Sequence, residues 1–119
     1  MIIFKNELNA VITMLSWLAP TENTDGTPID YALTYQLYIN GAATMVFPGS
    51  LNPDGRYQFP LADVPALQES GSYTLELTAF QEGVDLEQNP LMESEKSNSI
   101  LIMTVLVIRP KGPSDFSTD

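Results

Sequence analysis

Between residues 73 and 80 the chain alternates without a break: Tyr73, Leu75, Leu77 and Ala79 on one side, Thr74, Glu76, Thr78 and Phe80 on the other. Side chains that change sides at every residue belong to a pleated strand. The apolar side then obliges that strand to find a second layer against which to bury itself. The same period returns at residues 31–40, where Leu33, Tyr35, Leu37 and Ile39 alternate with Thr34, Gln36 and Tyr38. It returns again at residues 11–17, where Val11, Thr13, Leu15 and Trp17 alternate with Ile12, Met14 and Ser16. Shorter runs at 44–47 and 56–61 read as strands, and residues 99–108 as a last one. Turn chemistry separates them at Asp25-Gly26, Asn40-Gly41, Pro48-Gly49 and Asn52-Pro53-Asp54-Gly55. Residues 62–68 hold at most one helical turn, and residues 81–98, polar and interrupted by Pro90, form a long loop. Six or seven short strands with no long helix predict an all-β antiparallel sandwich. Residues 1–109 are expected to form it, with residues 110–119 as a flexible acidic tail.

The pieces resemble bacterial fibronectin type III domains. Leu15-Ser16-Trp17-Leu18-Ala19-Pro20 and the loop 21–28 are similar to that family's second-strand tryptophan and the loop behind it. Tyr35-Gln36-Leu37-Tyr38 before Asn40-Gly41 looks like its third strand. Leu67, Gly71 and Tyr73 stand as the family's leucine, glycine and tyrosine do at the entry to the sixth strand, and Glu93 to Asn98 resembles the polar opening of the last. Together these stretches cover roughly residues 8–106. The resemblance implies an immunoglobulin-like sandwich of about seven strands, with Trp17 filling the space between two sheets and Tyr73 in a tyrosine corner. The core is expected from Leu15, Trp17, Tyr35, Leu37, Tyr73, Leu75 and Leu77. Two features depart from the family pattern. The loop 81–98 is long and carries Leu86, Leu91 and Met92, and the first strand is weakly marked, so residues 1–4 either supply it or pair elsewhere.

Composition narrows the chemistry. The 119 residues contain no Cys and no His, which removes disulfides, thiolate metal sites and the commonest general base. A balance of 15 acidic to 5 basic side chains argues against nucleic acid and anionic membrane surfaces. No uncharged apolar run is long enough to cross a membrane as a helix. Residues 10–19 are apolar but lack the flanks of a signal peptide, so a strand is expected there and no secretion signal. No nucleophile elbow, phosphate-binding loop or recognisable pair of catalytic carboxylates is present. Calcium could draw on Glu22, Asn23, Asp25 and Asp30, or on Glu82, Asp85 and Glu87, but Asp and Asn are also ordinary turn formers and neither set follows the EF-hand pattern. The expectation is a protein without enzymatic activity, cofactor or metal.

The stretch Ile100 to Ile108 asks for another explanation. It is uncharged and apolar on both faces, and the resemblance places the last strand at a sheet edge, where such a strand templates association. Ile100, Ile102 and Met103 are therefore candidate contact residues, unless residues 1–4 or Leu91 and Met92 cover them. Ile12 and Met14, pointing away from Leu15 and Trp17, and Tyr38 and Phe80, outward on their strands, extend the candidate surface. The expected partner is a protein, a second copy of the chain, or both. Free-standing acidic domains of this kind resemble capsid or tail accessory components of phages and prophages, which would locate the chain in a virion. The alternative is a spacer, adhesive or carbohydrate-binding module of a bacterial surface protein, with Tyr31, Tyr38 and Phe80 as its aromatics.

Overall fold

The computed structural model describes residues 1–118, which form nine strands in two antiparallel sheets. In chain order the strands are β1 (Ile2–Lys5), β2 (Val11–Ile12), β3 (Met14–Trp17), β4 (Leu33–Ile39) and β5 (Ala42–Phe47), followed by β6 (Ser50–Leu51), β7 (Tyr57–Pro60), β8 (Gly71–Gln81) and β9 (Ile100–Leu106). The larger sheet runs β2-β1-β9-β8-β4-β5 and the smaller β3-β7-β6.

The periodicity of β4 and β8 sets the core. Tyr35, Leu37 and Ile39 on one and Leu75 and Ala79 on the other are buried, and the register pairs Tyr35 with Ala79, Leu37 with Leu77 and Ile39 with Leu75. The smaller sheet lays Leu15 and Trp17 over them. The Trp17 ring meets Tyr35 at 4.9 Å and Phe47 at 5.6 Å, both edge-on, the geometry that aromatic quadrupoles favour. Of the expected core, Leu15, Tyr35, Leu37 and Leu75 are buried, while Trp17, Tyr73 and Leu77 are half-buried and packed against them. The Tyr73 hydroxyl donates to the Glu69 carbonyl at 2.7 Å, a bond that ties the entry of β8 to the segment before it.

Three strands cannot cover six. One end of the deficit is filled by the connection from β7 to β8, which winds through two 3-10 turns (Leu61–Asp63 and Pro65–Leu67) and buries Leu61, Val64 and Leu67 completely. Thr104 on β9 is buried beside it, and its hydroxyl is satisfied by the Leu67 carbonyl at 2.8 Å. The sequence suggested one helical turn here; the prolines at 60 and 65 split it into two.

Two expectations about strands are corrected. Residues 11–17 are not one strand. The chain leaves the larger sheet after Ile12 and joins the smaller at Met14, and the Thr13 carbonyl between them accepts the Leu61 N–H. This corner resets the alternation: Ile12 turns inward against the core and Thr13 outward, the reverse of the expected faces. Nor does β9 lie at an edge. Residues 2–5 pair with it antiparallel, Ile3 opposite Val105 and Lys5 opposite Met103, so its outer ladder is occupied and β2 becomes the edge. The weakly marked first strand thus pairs elsewhere than beside β3, on the last strand.

Candidate interaction surfaces

The other end of the uncovered layer is a groove. It has a volume of about 500 Å³, and its walls are Trp17 and Leu18 on one side and Leu77 and Ile100 on the other, with buried Leu75 beneath and Arg56 at the rim. β3 pairs with β7 along one side only, so its second side faces this groove without a neighbouring strand. A second depression, bordered by Leu8, Met14 and Leu101, continues it, sharing Leu15, Ser16 and Ile100 with the first. β3 carries no charge, no proline and no bulge, the usual means by which an edge is blunted. The remaining long edge, β5, is interrupted by a register shift opposite Leu37 and Tyr38, which spoils it as a template. An unguarded edge above an apolar groove is the geometry that adds a strand from a partner: backbone groups supply the ladder and the groove receives alternate side chains.

The outer face of the larger sheet is partly roofed. The loop 82–98 folds back over β4 and β8 and brings Glu93 to their outward residues. Its Oε2 accepts hydrogen bonds from Gln36 Nε2 at 3.0 Å and from the hydroxyls of Tyr38 and Thr78. Lys96 lies over the Tyr38 ring at 4.4 Å and 3.9 Å from Glu76. Burial would raise the Glu93 pKa, but the three donors and the Lys96 charge outweigh it and hold the carboxyl below its ordinary value. Tyr38 moves the other way: burial first, then its bond to the carboxylate, pushes the phenol up.

The same loop finishes the ladder of β8. β9 pairs with β8 only as far as Leu75 opposite Ile100. Beyond it, Ser97 donates its N–H to the Leu77 carbonyl and accepts the Leu77 N–H on its hydroxyl, at 2.8 and 2.9 Å. Ser94 does the same for Ala79, at 2.9 and 2.8 Å. Each serine satisfies one donor and one acceptor that would otherwise be stranded on a half-covered edge.

Against this geometry the candidate contact residues divide. Ile100, 39% exposed, stands at the groove, and Met14, also exposed, flanks it. Ile102, at 2%, is core and is withdrawn from the contact surface, as is Ile12 after the strand corner. Met103 is half-buried on the outer face between Lys5 and Ser72. Phe80 is 7% exposed, closed over near Tyr31 and Met92, and Tyr38 is tied to Glu93; neither forms an open outward patch. Leu91, 98% exposed, covers nothing of β9. What sequence reasoning missed is the edge of β3 itself, whose only signal was the absence of charge from residue 8 to residue 21.

The acidic loops serve their own turns. Asp25 Oδ1 accepts both the N–H and the hydroxyl of Thr27, which lowers its pKa, and Asn23 bonds Thr27 and the Tyr31 hydroxyl. Asp85 accepts the Glu87 N–H in the same manner. Among the described residues no three acidic side chains are grouped as metal ligands, and no helix is long and apolar enough to cross a membrane.

No protein-family model, curated protein or solved structure matches the chain. Its class therefore rests on its own architecture: an all-β protein of two antiparallel sheets with the character of a β-sandwich.

Proposed function

We propose that the chain is a non-enzymatic structural or binding protein that works through protein–protein contact, and that the β3 edge and its groove are the contact surface. The observation that carries this reading is an unpaired, uncharged strand edge directly above an apolar groove of about 500 Å³. The resemblance to fibronectin type III domains supports the immunoglobulin-like label for the sandwich and, with it, a setting as a capsid or tail accessory component of a phage or prophage virion. Of the aromatics that would make a carbohydrate platform, Phe80 is buried and the Tyr31 and Tyr38 hydroxyls are held by Asn23 and Glu93, so the contact reading is favoured over the glycan alternative.

Met14→Lys and Ile100→Lys place a charge at the groove without entering the core. Either should weaken association, measured by light scattering after size exclusion, while leaving the thermal midpoint within a few degrees of wild type. Association unchanged in both would refute the groove as the contact. The virion setting is tested separately by mass spectrometry of purified particles: stoichiometric recovery of the chain supports it, and its absence from particles removes it.

A further inference from the structure

The groove has a candidate occupant within the chain. After β9 the backbone stays in contact through Val107, whose N–H and carbonyl both bond Met1, and then leaves the body. Residues 108–118 are exposed throughout, and the molecule measures 77 Å along its longest axis against 30 and 26 Å along the others. Phe116 is 96% exposed at the far part of this arm. Pro110 and Pro113 favour an extended backbone, which carries Phe116 outward rather than back onto its own surface.

The charges match as well. Arg109 and Lys111 balance Asp115 and Asp119, so the whole net charge of −10 belongs to residues 1–106, and the arm can approach a second body without the repulsion the bodies exert on each other. Arg56, at the rim of the groove, forms no ion pair among the described residues; its Nε is bonded to the Ser16 hydroxyl at 3.2 Å. On the arm, the carboxylate next to Phe116 is Asp115.

We propose that the arm of one copy docks in the β3 groove of a second copy, with Phe116 seated among Trp17, Leu18, Leu77 and Ile100 and Asp115 paired with Arg56. The proposal rests on the reading of the groove as a contact surface and names its occupant. An aromatic anchor in an apolar pocket with a charge pair at the rim is how small interfaces concentrate their energy. The contact is heterologous, arm to groove, so it closes as a reciprocal exchange between two copies or continues into a larger assembly.

Sedimentation equilibrium of the full chain over about 10–500 μM is the direct measurement. Wild type should associate, and Phe116→Ala should weaken association by about tenfold or more. Arg56→Asp and Asp115→Arg should each weaken it, and the two together should restore it, a rescue that a merely folded surface would not show. A labelled peptide of residues 107–118 should bind a chain shortened after Arg109, and Ile100→Lys should abolish that binding. A monomeric wild type at the highest concentration overturns the proposal, as does association indifferent to Phe116→Ala. If Ile100→Lys and Met14→Lys reduce association while Phe116→Ala and the charge swap do not, the groove stands as a contact and the arm is rejected as its occupant.

Discussion

Gly49 and Glu93 show how much a single position decides. Gly49 sits at φ +71°, and a Cβ built on it would lie 2.7 Å from Cζ2 of Trp17. The indole can rest where it does because that side chain is missing. Gly49→Ala should cost about 1–3 kcal/mol in chemical denaturation, from left-handed strain and displacement of the ring together. A loss under about 0.5 kcal/mol would mean that Trp17 relocates freely. Glu93 governs acid stability. Its folded pKa lies below the ordinary value of 4.5, so the stability it contributes is present above that value and is lost as the pH falls through the depressed one. Glu93→Gln should therefore lower the thermal midpoint near neutrality by a few degrees, about what 1 kcal/mol produces in a domain of this size, and the gap from wild type should close as the pH falls through the depressed Glu93 pKa. A gap that stays constant down to low pH would show that the carboxylate charge is not what Thr78, Tyr38 and Gln36 hold.

At the scale of elements, the chain completes ladders with side chains where strands run out. Ser94 and Ser97 extend the pairing of β8 on one side. On the other, Asn40 donates its N–H to the Thr74 carbonyl and accepts the Thr74 N–H on Oδ1, at 2.8 and 3.0 Å. Ser94→Ala with Ser97→Ala should cost about 1–2 kcal/mol in total and speed hydrogen exchange at the Leu77 and Ala79 amides, leaving Leu75 protected by β9. Equal exchange in wild type and variant would show that the loop does not hold this edge. The alternation of β4, β7 and β8 was legible because it runs unbroken through each of the three. The corner at Thr13 was not, since both halves alternate and nothing in the local sequence marks a change of sheet. β6, two residues long, gave no periodic signal at all.

For the whole molecule the arm dominates the shape. The radius of gyration is 18.9 Å, whereas a compact chain of this length would have about 14 Å. Small-angle scattering at low concentration should show the radius falling toward the compact value when the chain is shortened after Arg109. A radius unchanged by the truncation would mean that the arm lies against the body. Period and composition by themselves determined that this chain is all-β, that Leu15, Tyr35, Leu37 and Leu75 are core, and that Cys and His chemistry is closed to it, because those properties follow from the order and identity of side chains. Tertiary structure alone decided which strand is left at an edge. Edge position depends on pairing: residues 2–5 could lie beside β3 or beside β9, and by pairing with β9 they protected Ile102 and Met103 and left β3 open. The roofing of Phe80 and Tyr38 has the same origin, since whether an outward side chain meets solvent is settled by where a distant loop comes to rest.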